Sequence, residues 1–157
     1  MRMHNLLTAS IVVLGLSAGI GMAAAETASH QGHQASELTL TLNAGAKWQG
    51  DGNMIKGMNG IRNAMAARLA GIRDETLPTD EYKALASEVQ AEVDYMVSNC
   101  KLAPQVDEQF HLVLGQVLDG VTELQTGADP RGGADRIVVA LNAYGDHFAH
   151  PDWLPLE

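Results

Sequence analysis

The chain has 157 residues, with 10 Lys and Arg against 19 Asp and Glu, giving a net charge of −9 with histidine neutral. Such an acid excess leaves no basic stripe to neutralise phosphates, so nucleic acid and anionic membrane surfaces are excluded as partners, whereas cations and basic proteins are not. The length suits one domain with a real but modest core.

The first 25 residues read as a signal peptide. Arg2 gives a basic start, "LLTASIVVLGLSAGIG" is an apolar run, and Ala23 and Ala25 supply the small residues of a cleavage site before Glu26. An uncleaved membrane anchor is the alternative reading, weakened by the absence of a basic stop-transfer flank. The expected destination is a bacterial periplasm. Losing Arg2 and no acid takes the formal charge from −9 to −10.

Residues 26–50 are expected to be a flexible leader followed by an irregular lead-in. His30 and His33 lie in the leader, and Trp48 is the single large anchor of "LTLNAGAKWQGDG".

From Asp51, a plausible N-cap, Met54, Met58, Ile61, Met65, Leu69 and Ile72 follow at steps of 4, 3, 4, 4 and 3, one stripe of an amphipathic helix. "LPTDEYK" breaks that helix and starts a second, with Thr79 as cap and Asp80 and Glu81 in the first turn, where the helix dipole favours anions. Its stripe is Tyr82, Leu85, Val89, Val93, Met96 and Cys100. Pro104 marks the next corner, because proline is tolerated only in the opening turn of a helix.

A third helix is expected to carry His111, Leu114, Leu118 and Val121 on its buried stripe, with Phe110, Val117 and Leu124 beside it. Asp129 and Pro130 reopen the chain after "TGA", and the fourth helix keeps Ile137, Leu141, Tyr144 and His147 in phase. "HPDWLPLE" ends it, leaving 151–157 as a C-terminal tail. No repeat and no strand is legible. Four helices of this length joined by short turns over 51–150 predict an all-α, antiparallel up-down-up-down four-helix bundle.

Cys100 is the only cysteine, so it cannot form an internal disulfide in an oxidising compartment. It pairs between chains, is buried and inert, or acts as a ligand. The bundle topology brings the start of the first helix, the end of the second, the start of the third and the end of the fourth to one pole. Met54, Met58, Cys100, His111, His147 and His150 all fall there. Thiolate and thioether select copper, and imidazole suits copper or zinc, whereas zinc gains nothing from methionine. The expected site is one copper ion held by Met58, Cys100, His111 and His147, with Met54 and His150 as substitutes. Asp146 and Tyr144 are expected to orient the histidines. The expected role is electron transfer or copper handling, with a periplasmic redox or copper-transfer protein as partner. No paired carboxylates, nucleophile motif or Gly-rich phosphate loop points to an enzyme. A metal-free interaction module dimerised by an exposed thiol is the bland alternative.

"DEQFHLVLGQVLDGVTEL" and "ADRIVVALNAYGDHFAH" resemble the third and fourth helices of the cytochrome b562 family, and "DGNMIKGM" resembles its first-helix stretch with the axial methionine. The resemblance covers most of 51–150. It implies the same bundle, export, and a b-type haem with Met54 or Met58 and His147 as axial ligands. The chain departs from that pattern in carrying Gly145 directly after Asn142-Ala143-Tyr144, where the family has its haem histidine. No Cys-x-x-Cys-His is present, so c-type haem is excluded. "LNAGAKW", "GMNGIR" and "NCKL" also resemble a group of periplasmic proteobacterial proteins, implying a family built around Met58 and Cys100 but no particular activity.

Overall fold

A computed structural model describes residues 38–157. The expected signal peptide 1–25 and the leader histidines His30 and His33 lie outside the described residues.

Four helices follow in order: α1 (Gly52–Arg73), α2 (Thr79–Asn99), α3 (Pro104–Thr126) and α4 (Pro130–His147). Local chemistry sets their ends. Asp51 caps α1 by accepting from the Met54 amide at 2.8 Å, and Asp129 caps α4 by accepting from Gly132 at 2.9 Å. Prolines 104 and 130 open α3 and α4, where a missing N–H costs nothing. Gly127 closes α3 in the left-handed region at φ 69°, which a residue without a β-carbon adopts readily. Thr79 is not the cap of α2: Pro78 precedes it in extended conformation, and Thr79 is the first helical residue.

The helices form an antiparallel four-helix bundle. On α1 and α2 the facing pairs run in opposite order, Asn53 with Asn99, Gly57 with Met96 and Gly60 with Glu92. Phe110 meets Tyr144 and Glu123 holds Arg136, so α3 and α4 are likewise antiparallel. These two helices come closest where Gly120 faces Gly133, since a β-carbon on either would run into the other's carbonyl oxygen. Met54, Met58, Ile61, Met65 and Ile72 of the expected α1 stripe are buried, and Leu69 is half-buried. From α2, Tyr82, Leu85, Val89, Val93 and Met96 are buried.

Two features depart from the sequence reading. A two-residue parallel ladder pairs β1 (Trp48–Gln49) with β2 (Phe148–Ala149), in register Trp48 with Phe148. A ladder this short has no alternating pattern to betray it. The C-terminal segment is also docked onto the bundle. Leu156 is buried, its backbone N–H and C=O both bonded to the Asn142 side-chain amide at 2.9 Å, and Arg62 donates to the carbonyl of Leu154.

Candidate functional site

The pole built from the start of α1 and the end of α2 is organised by Asp51. One carboxylate oxygen accepts from the Met54 amide and the other from the Lys101 amide at 2.7 Å, so the residue clamps the α1 cap to the chain leaving α2. The Cys100 thiol also bonds this carboxylate. Burial is the largest single influence on the Asp51 carboxyl and pushes its pKa up. The hydrogen bonds from Lys101, Met54, Asn53 and Cys100 together outweigh it and hold the group below the ordinary value.

Cys100 is the C-cap of α2, extended at φ −66° and ψ 144°, and half-buried. It therefore steps out of the helix just after the stripe it was expected to extend. Burial pushes its pKa up to about 11, and the neighbouring Asp51 charge adds to the effect. The thiol is protonated at neutral pH, which makes it a poor nucleophile until a metal displaces the proton.

Three methionines are buried near the same pole. Met54, Met58 and Met96 are 0%, 0% and 1% exposed. The Met54 thioether lies against Gly50, beside the Asp51 turn that touches Cys100, and the Met96 thioether lies against Gly57. Met54 and Met58 are four residues apart on α1, as Met96 and Cys100 are on the α2 side, and each such step rises ~6 Å. The facing register of 53 with 99 and 57 with 96 thus puts three thioethers and one thiol on opposed stripes spread over about one and a half turns. Met96 had been read only as core. The signal for it was the antiparallel register itself, which sets a residue four before Cys100 opposite one four after Met54.

The imidazoles do not join this group. The expectation that His111 lies on the buried stripe of α3 is corrected: its side chain is 68% exposed, with Nδ1 bonded to the Asp107 carbonyl at 2.9 Å. Leu114 and Val121 of the expected stripe are buried, as are Phe110, Val117 and Leu124 beside it, and Leu118 is half-buried, so the phase of α3 stands and His111 alone falls on the solvent side of its margin. His147 is half-buried, and its Nδ1 donates to the Ala143 carbonyl at 2.8 Å, within its own helix. His150 is bonded through Nδ1 to the Tyr144 hydroxyl at 2.9 Å. Among the described residues no three His, Cys, Asp or Glu side chains are grouped to hold a metal ion, so Cys100, His111 and His147 are not brought together. Of the residues expected to orient the histidines, Asp146 is exposed, and Tyr144 serves His150.

The residues do not fit a haem. The implied axial histidine, His147, is bonded within its own helix to the Ala143 carbonyl, and at Gly145, directly after Asn142-Ala143-Tyr144, the Trp153 indole lies so close that any β-carbon would overlap the ring. Phe110, Tyr144 and Phe148 fill the adjoining interior, with Tyr144 and Phe148 stacked at 5.0 Å.

No protein-family model, curated protein or solved structure matches this chain.

Proposed function

We propose that this protein is an exported helical bundle that binds one copper(I) ion through Met54, Met58, Met96 and Cys100. Its role in this reading is copper handling, or electron transfer, with a periplasmic redox or copper-transfer protein. The observation that supports the reading is the register of α1 against α2, with Asn53 facing Asn99 and Gly57 facing Met96, at the end of the bundle that also holds Met54, Met58 and Cys100. An all-sulfur set favours the reduced, polarisable ion over copper(II) or zinc, both of which gain from imidazole. His111 and His147 have no part in it. A thiol that is half-buried and protonated gives little support to a module dimerised by a disulfide.

Anaerobic titration of the mature chain with copper(I), in competition with a chromogenic copper(I) chelator, tests the reading. One equivalent is expected to be withheld from the chelator. Replacing Met54, Met58 and Met96 together by Leu, which keeps volume and apolarity, is expected to abolish retention, and Cys100→Ser to weaken it. His111→Ala with His147→Ala is expected to change nothing. Undiminished retention in the triple Met variant overturns the ligand set.

A further inference from the structure

A second constellation lies on α4 and the segment that follows it. Tyr144 is fully buried. Its hydroxyl is 2.9 Å from Nδ1 of His150, its ring stacks on Phe148, and it meets Trp153 edge-on with centroids 4.9 Å apart. Phe110 closes a further side at 6.2 Å. Trp153 is only half-buried, so the ring cluster runs from the interior to the surface.

The direction of the Tyr144–His150 bond follows from counting donors. Nε2 of His150 is buried without a partner. With the proton on Nε2, Nδ1 accepts from the phenol and one N–H is left unsatisfied. With the proton on Nδ1, the phenolic O–H and the Nε2 lone pair are both left without partners. Leaving fewer buried groups unpaired favours the first arrangement, in which the phenol donates. Burial also holds His150 below its ordinary pKa, keeping it neutral and able to accept, and pushes the Tyr144 phenol up, so that phenolate is not accessible on its own.

A buried phenol cannot lose an electron cheaply while it keeps its proton, because a cation radical would be left in apolar surroundings. A neutral base within hydrogen-bond reach removes that obstacle. We propose that Tyr144 is a one-electron redox site that passes its phenolic proton to Nδ1 of His150 as an electron leaves past Trp153 to a high-potential metal-complex oxidant. The O–H bond breaks and an N–H bond forms. The oxidant's metal centre is reduced by one electron, and the products are a neutral phenoxyl radical and an imidazolium. Return of one electron sends the proton back to oxygen. Phe110 and Phe148 keep water from the radical, and Trp153 offers the π system that an outside oxidant can approach.

The test uses the mature, copper-free chain with a photogenerated ruthenium(III) polypyridyl oxidant, read by electron paramagnetic resonance and transient absorption. The expected result is a neutral tyrosyl signal, formed more slowly in D2O, that is lost in Tyr144→Phe although Tyr82 and Tyr95 remain. His150→Gln keeps an acceptor but not a base. It is expected to retain the thermal midpoint and lose the rapid phase together with the isotope effect. A signal that persists in Tyr144→Phe, or unchanged kinetics in His150→Gln, overturns the proposal. Neither outcome depends on copper retention at the sulfur pole.

Discussion

Gly57 of α1 lies against the thioether of Met96 on α2, at a separation that leaves no room for a β-carbon. The contact sets both the spacing of the two helices and the position of one proposed sulfur donor. Gly57→Ala gains about 1 kcal/mol of helix propensity but forces a packed side chain aside, at a cost of about 1–3 kcal/mol. A net loss in stability is expected by urea denaturation, with weaker copper(I) retention in the same variant. A gain in stability with unchanged retention would show that the contact fixes neither.

Asp51 combines a helix cap with a cross-chain clamp. Asp51→Ala is expected to cost about 1–2 kcal/mol, whereas Asp51→Asn, which caps comparably, should cost less. The carboxyl is held below its ordinary value of 3.8, so its contribution is present above that pH and disappears as the pH falls through the lowered value. The urea midpoint of the wild type should therefore drop in that acid range, and that part of the drop should be missing in Asp51→Asn.

The Cys100 thiol titrates near 11 rather than 9.0. The folded chain keeps its proton where the unfolded chain has lost it, so stability should fall as the pH rises from 9.0 towards 11. Alkylation should be slow at pH 8 and accelerate steeply above 9.0. Asp51→Asn removes the adjacent charge and should shift the alkylation profile to lower pH. A profile centred at or below 9.0 in the wild type would mean that the thiol is neither buried nor bonded to Asp51.

Leu156 is buried although it lies seven residues beyond Ala149, the end of β2, and Asn142 bonds both its backbone N–H and C=O. Leu156→Ala is expected to cost about 2–5 kcal/mol, and Asn142→Ala about 1–3 kcal/mol through the unpaired backbone groups. Thermal melts of the two variants would check both. Effects within a few tenths of a kcal/mol would mean that the segment is not part of the cooperative unit.

The stripes of α1 and α2 were legible because their apolar residues recur at one angular position: Met54, Met58, Ile61 and Met65 have no rival face. On α3 only His111 departs from its expected place, and the reason lies in the breadth of the apolar arc. Phe110, Leu112, Val113, Leu114, Val117 and Leu118 surround much of its circumference, so periodicity alone leaves the phase open by about one residue. His111 falls at the edge of that arc and its side chain is exposed, which removes it from the expected ligand set. The arrangement of the helices was legible, because helix order and short corners alone decide which ends are neighbours. The docking of Trp153 and Leu156 depends on contacts with α4 far back along the chain, and nothing in "HPDWLPLE" announces them.

The pairing of Trp48 with Phe148 has a consequence for engineering. It brings the entry and exit of the helical unit side by side, so a short linker joining the two could replace the natural ends. New termini could then be opened at the exposed α3–α4 corner near Gly127 without breaking a helix. Such a rewired chain would thread the same four rods in a different order.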